Sequence, residues 1–141
     1  MVKRWGAVGS SSSGEAGSLA ETQALLHLQQ AGLRLVQRNY RVARGPGARA
    51  GEIDLIMRDV DGTIVFVEVR SRRAPLGAAG PGGAAAFGGA AASVGGLKQR
   101  RIVFAARHWL MRQAVVPPCR FDVVAIDGTR LQWLKAAFDA G

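Results

Sequence analysis

Gly51-Glu52-Ile53-Asp54-Leu55-Ile56-Met57-Arg58-Asp59-Val60-Asp61-Gly62-Thr63-Ile64-Val65-Phe66-Val67-Glu68-Val69-Arg70 is the stretch that decides how this chain folds. Two runs rich in Ile, Val and Leu flank Asp59-Val60-Asp61-Gly62, whose aspartates and glycine favour a turn, so the segment predicts a hairpin with strands at 52–58 and 63–70. Apolar residues occupy both faces of each strand: Ile53, Leu55 and Met57 against Ile56, and Val65, Val67 and Val69 against Ile64 and Phe66. A sheet covered on two sides reads this way. If Asp59 faces Thr63 across the turn, antiparallel register places Asp54 opposite Glu68 and Glu52 opposite Arg70. Residues two apart share a strand face, so all four side chains are expected together, with opposed Cβ atoms about 5 Å apart.

Outward from the hairpin, the chain reads as a single α/β domain over 18–141. Residues 1–17 are rich in Gly and Ser and are expected to be disordered. Ser18 with Glu21 three residues later reads as a capping box. It opens a helix carrying Ala24, Leu25, Leu28 and Ala31 at helical spacing and ending at Gly32. Residues 33–42 alternate as a strand, and 44–48 form a basic, turn-rich loop. Residues 74–96, almost all Ala, Gly, Pro and Ser, are expected to be a mobile surface loop. A helix over 97–113 sets Ile102, Ala105, Ala106, Trp109 and Leu110 on one side and is stopped by Pro117-Pro118. A strand over 120–126 then turns at Asp127-Gly128 into a short strand at 130–134. The expected order is α-β-β-β-α-β with a small β extension, a mixed sheet flanked by helices.

The formal charge is +9, from 19 Lys and Arg against 10 acids. Such a field favours polyanions such as DNA, RNA or an anionic membrane surface, although a solvated basic surface also explains it. One cysteine, Cys119, excludes a disulfide framework or a thiolate metal cluster. No apolar run approaches the roughly 18 residues needed to cross a bilayer. Met1-Val2-Lys3-Arg4-Trp5 leads into Gly and Ser rather than an apolar stretch, so no signal peptide is expected and the cytoplasm is the default.

Asp54 and Glu68 carry the chemistry. Like charges opposed across a sheet repel, which invites a cation between them. Without His or Cys nearby, hard carboxylate oxygens suit Mg²⁺ or Mn²⁺. The alternative is a structural ion network in which Arg70 neutralises the pair. Lys98 heads the apolar stripe through Ile102, Ala105 and Trp109, so it is expected to point toward the sheet, unless it belongs to a solvated run with Gln99, Arg100 and Arg101. Glu21 shares a face with Ala24, Leu25 and Leu28 and can reach the same cleft, or simply cap its helix. Arg41, Arg44, Arg49, Arg72, Arg73, Arg100 and Arg101 are candidate phosphate contacts. His27 and His108 read as packing residues, Asp122 as a salt partner of Arg120, and Cys119 as inert.

Gly51-Glu52-Ile53-Asp54-Leu55-Ile56, Val65-Phe66-Val67-Glu68-Val69-Arg70, Lys98 and Arg120-Phe121-Asp122-Val123-Val124 together resemble the bacterial YraN family, also called UPF0102. Ala20-Glu21 with Ala24, Arg38-Asn39-Tyr40-Arg41, Phe87-Gly88, Trp133 and Ala137-Phe138 extend the resemblance from about 20 to 138. That family in turn resembles restriction-endonuclease-like nucleases of the PD-(D/E)xK type. The resemblance implies that core, with Asp54 and Glu68 as the metal-binding acids and Glu21 and Glu52 as auxiliary acids. It further implies a nucleic-acid partner, DNA ahead of RNA. Arg70 stands where the motif has lysine, and Ala20 where the family has glycine. Arginine stays protonated and cannot act as a base, so Lys98 is the candidate substitute amine. Three readings follow: a metal-dependent nuclease, a nucleic-acid-binding module without cleavage, and a protein-interaction domain.

Overall fold

A computed structural model of the chain describes residues 12–43, 51–72 and 94–140, with backbone alone at 12–16 and 72. The expected disorder at 1–11, the basic loop at 44–48 and the Gly/Ala-rich segment at 73–93 lie outside the described residues. The elements are α1 (Ser12–Gln30), β1 (Arg34–Val42), β2 (Gly51–Arg58), β3 (Ile64–Arg72), α2 (Gly96–Leu110), β4 (Cys119–Asp127) and β5 (Arg130–Phe138). The five strands form one mixed sheet in sequence order, with β3 and β4 parallel and every other neighbouring pair antiparallel. A parallel neighbour requires a crossover connection, and α2 lies within the one joining β3 to β4.

The hairpin forms on its turn chemistry. Asp59 N–H donates to the Thr63 carbonyl at 2.8 Å, and Gly62 N–H to the Asp59 carbonyl at 2.9 Å. Gly62 takes φ +91°, the left-handed conformation that closes a three-residue hairpin loop. Asp61 accepts the Thr63 N–H at 2.9 Å. At the other punctuation mark, Gly32 has φ +104° and ends α1. Leu33 N–H reaches the Leu28 carbonyl and Gly32 N–H the Gln29 carbonyl, the paired bonds of a Schellman cap. Leu28 and Leu33 then bury together in one core.

Each face of the sheet has its own core. On one, Ala20, Ala24 and Leu28 of α1 pack on Leu55, Met57, Val65, Val67, Val124 and Ile126. On the other, Ile102, Ala105, Ala106 and Trp109 of α2 pack on Tyr40, Ile53, Ile56, Ile64, Phe66, Phe121 and Val123. An aromatic row crosses this second face: Phe138 stacks on Phe121 at 5.1 Å, Phe121 on Phe66 at 5.4 Å, and Trp109 meets Phe66 edge-on at 5.9 Å. Among the described residues no helix is long and apolar enough to cross a membrane.

Four expectations are corrected. α1 starts at Ser12, so 12–17 are helical and Ser18 lies inside the helix, where its carbonyl accepts the Thr22 hydroxyl at 3.0 Å. There is no capping box at Ser18. Once packing anchors a helix, each further residue adds a bond at little cost, and no proline interrupts 12–17. The 74–96 loop ends early: Val94 is buried in the α2-side core and Gly96 begins the helix. α2 itself stops at Leu110 rather than 113, because Arg112 and Gln113 bond three residues back, in tighter turns. β5 runs to Phe138 rather than 134. Its extension is held by tertiary contacts, the Phe138–Phe121 stack and an Ala136 N–H donated to Asp122 at 2.9 Å.

Candidate functional site

The β2–β3 ladder pairs Arg58 with Ile64, Met57 with Val65, Ile56 with Phe66 and Leu55 with Val67, the register that the turn implied. It stops one pair short of Asp54 and Glu68. There the Val69 N–H donates to Asp54 Oδ2 at 2.8 Å, so a side chain takes the amide that a further ladder bond would use. On the opposite flank, Asn39 falls across from Asp54, between the pairs Arg38–Leu55 and Tyr40–Ile53, and adopts φ +51°. Asparagine is among the few non-glycine residues that tolerate this region. Both strands change faces here: Leu55 packs toward α1, whereas Ile53 and its partner Tyr40 pack toward α2. The rule that residues two apart share a face therefore fails across Asp54. The acid sits at a break in the sheet, not in its regular pleat.

Glu68 follows the α2-facing Ile64 and Phe66 along β3 and is nearly sealed, its side chain 5% exposed. Lys98 Nζ, in the first turn of α2, lies 3.7 Å from Glu68 Oε2 and 3.5 Å from Glu52 Oε2. Arg70 Nη1 lies 3.8 Å from the same Glu68 oxygen. Glu68 Oε1 is buried, and no hydrogen-bond partner reaches it among the described residues. Burial, and secondly the neighbouring Asp54, push the Glu68 carboxyl up to about 8, against the pull of Lys98 and Arg70. Burial also raises Asp54, despite the Val69 N–H. Burial and mutual repulsion thus both disfavour charge on the pair, and a cation at the two carboxylates would relieve them. Asp54 and Glu68 are the residues able to grip such a cation.

Lys98 reaches the pair because of Gly51. A Cβ at Gly51 would lie 2.4 Å from the Arg101 carbonyl oxygen and 2.9 Å from Ala105 Cβ. α2 thus crosses directly over the first residue of β2, and only glycine permits that approach. Glu21, half-buried on α1, is raised by burial and then by the charge of Asp54, and it forms an ion pair with Arg38 Nη2 at 3.5 Å. Glu21 therefore borders the pair from the α1 side. Arg41 is largely exposed and stands 3.9 Å from Glu52. Arg100 and Arg101 are on α2, Arg72 contributes backbone to β3, and Arg44, Arg49 and Arg73 lie outside the described residues.

Gly51, Asn39 and Arg38 are the positions that sequence reasoning did not assign to the site. A glycine opening a strand is a signal of close backbone approach; Arg38 and Asn39 carried none beyond the resemblance. The remaining candidates are structural. Asp122 is fully buried and accepts from Arg120 Nε, Trp133 Nε1 at 2.9 Å and the Ala136 N–H, while Arg120 also holds Asp59 at 2.9 Å. His108 Nδ1 pairs with the Tyr40 hydroxyl at 2.8 Å, and His27 packs edge-on against Trp133.

The model of the uncharacterised protein family UPF0102 matches residues 20–126, which span β2, β3, α2 and the acids between them. The UPF0102 protein of Methylibium petroleiphilum is 58% identical over 126 residues, covering 88% of this chain and 93% of its own. That of Paracidovorax citrulli is 58% identical over 127 residues, covering 89% and 84%. That of Albidiferax ferrireducens is 59% identical over 127 residues, covering 89% and 88%. Matches of this length and identity run through the whole site, and the chain belongs to the UPF0102 family.

Proposed function

We propose that this protein is a metal-dependent phosphodiesterase acting on nucleic acid, built on a restriction-endonuclease-like core and working in the cytoplasm. The observation that carries the reading is the buried, unpartnered Glu68 Oε1 beside the Asp54 carboxylate. A sealed carboxylate oxygen without a donor is costly, and a hard cation satisfies it. Two carboxylates with the rest of the sphere left to water and phosphate is the manner in which Mg²⁺ is commonly held; among the described residues no third His, Cys, Asp or Glu joins Asp54 and Glu68 as a ligand. Bound Mg²⁺ or Mn²⁺ supplies charge stabilisation at a phosphodiester and lowers the pKa of a water. The chain's own part follows from its cations. Lys98, steadied by Glu52, and Arg70 face Glu68, where they neutralise phosphate charge and position the attacking water.

A second reading, a binding module without cleavage, draws support from Arg70 in place of lysine. Two cations already oppose Glu68, and an arginine takes no proton from water. The deciding experiment is incubation with duplex, branched and single-stranded DNA and with RNA, in Mg²⁺, Mn²⁺ or EDTA. The expected result is divalent-dependent cutting that Asp54→Ala and Glu68→Ala abolish. Salt-sensitive binding without cutting in any metal would leave the module, and no binding at low salt would leave the protein-interaction domain.

A further inference from the structure

Beside the carboxylate pair, on the α1 flank of the sheet, lies a cleft of about 430 Å³ lined by Gly17, Ser18, Glu21, Arg38, Asn39 and Arg41. We infer that this cleft is a subsite for a backbone phosphate of the nucleic acid, with Arg38 and Arg41 as its anion-binding residues and Glu21 positioning Arg38. The inference rests on the reading of the protein as one that acts on nucleic acid and adds where the strand lies beside the acids.

Four observations converge on it. First, the described lining residues offer hydroxyl, amide and guanidinium groups and one carboxylate, that of Glu21, which is engaged with Arg38, but no aromatic ring or large apolar side chain. It has nothing to stack on a base, and it suits a phosphate and sugar. The larger cleft on α2, about 510 Å³, contrasts with it in presenting Val103 and Phe104. Secondly, Arg38 is only loosely committed within the protein. Its contact with Glu21 spans 3.5 Å and engages one of five guanidinium N–H donors, and its Nε is buried without a partner. A fork of this kind pairs two donors with a phosphate, which a lysine cannot do.

Thirdly, Arg41 projects into solvent from the same strand, its side chain 73% exposed, and its 3.9 Å approach to Glu52 is weak. Fourthly, the cleft is in place relative to the acids. Asn39, in its left-handed conformation, lies across from Asp54. Asn39 lines the cleft and neighbours Asp54 across the β1–β2 ladder, so the cleft adjoins the acids at Asp54, while Glu68 lies on the side facing α2. Glu21 reaches the acids only as an electrostatic neighbour of Asp54, whereas it touches Arg38 directly. It is therefore a positioning residue, not an auxiliary acid.

The test measures binding in EDTA, so that it is independent of catalysis. Fluorescence anisotropy of a labelled mixed-sequence DNA strand is followed across a salt series for the parent, Arg38→Ala, Arg38→Lys, Arg41→Ala and Glu21→Gln, with circular dichroism melts showing that each folds. Arg38→Ala should weaken binding about tenfold at every sequence and lower the slope of log K against log salt by about one unit. Arg41→Ala should act in the same direction. Arg38→Lys should keep the slope but lose affinity, since the charge stays and the fork is gone. Glu21→Gln should lose less affinity than Arg38→Ala at unchanged slope. Metal-dependent cutting is scored in parallel on the parent. A parent that binds and cuts, with Arg38→Ala at parental affinity and slope, overturns the subsite and leaves the nuclease reading standing. Binding that depends on Arg38 with no cutting in any metal removes hydrolysis and retains the subsite. A parent that neither binds nor cuts overturns both.

Discussion

Glu68 is the residue on which most depends, and its protonation has a testable sign. Its folded-state pKa lies near 8, above the ordinary 4.5, so the folded chain binds this proton more tightly than the unfolded one. The stabilisation is fully present below about pH 4.5 and is lost as pH rises through about 8. Thermal melts in EDTA should show Tm falling between about pH 5 and 9, with the slope flattened in Glu68→Gln, which keeps the shape and cannot ionise. Divalent binding must displace the same proton, so Mn²⁺ affinity measured by calorimetry should rise with pH over this window and release protons. A pH-independent Mn²⁺ affinity would place the ion elsewhere. Arg70 sets a second test: Arg70→Lys restores a side chain able to give up a proton, and it should raise metal-dependent cutting. Unchanged or lower activity would show that Lys98 already fills that role.

Helix α2 crosses strand β2 at Gly51, where the backbone leaves no room for a side chain. Gly51→Ala would drive a Cβ into the Arg101 carbonyl and Ala105, and overpacking of this kind costs about 1–3 kcal/mol. The expected readout is a Tm lowered by several degrees, together with a loss of activity larger than the stability change explains, because the helix that carries Lys98 must shift. An equal loss in both would make Gly51 purely structural. Asp122 joins β4 to β5. It is fully buried and serves Arg120, Trp133 and Ala136 at once. Asp122→Ala would leave Arg120 with Asp59 alone and deprive the Trp133 Nε1–H and the Ala136 N–H of their acceptor, at about 1–3 kcal/mol for each donor left unpaired, measurable as a lower urea midpoint with DNA binding per folded molecule unchanged.

Charge acts over the whole molecule. With +9 on 141 residues, association with a polyanion should be fast at low salt and weaken steeply as salt rises, log K falling by roughly 0.9 for each phosphate neutralised on duplex DNA. Because the field is sequence-independent, competitor DNA of any composition should displace a labelled strand about equally well. A shallow salt slope would mean that the positive surface is solvated and does not contact phosphate.

The mixed α/β class and the hairpin register were legible because each rests on neighbours in the chain. Asp59, Asp61 and Gly62 specify their turn locally, the turn sets which residues of β2 and β3 oppose, and apolar residues on both strand faces announce layers on both sides. Helical periodicity left Lys98 between an inward place and a solvated basic run, and the fold brings it to Glu52 and Glu68. The helical start at Ser12 and the full length of β5 were not readable: the first propagates from a helix anchored further along by Ala20, Ala24 and Leu28, and the second is held by the Phe138–Phe121 stack and the Ala136 N–H on Asp122. The same holds within the site. That both strands change faces at Asn39 and Asp54, that Arg38 meets Glu21, and that Glu68 Oε1 is sealed without a donor all follow from segments brought together across 15 to 46 positions of chain. Local patterns carry periods of two and 3.6 residues; they hold no information on which side chain, far along the chain, will close a contact once the sheet is covered.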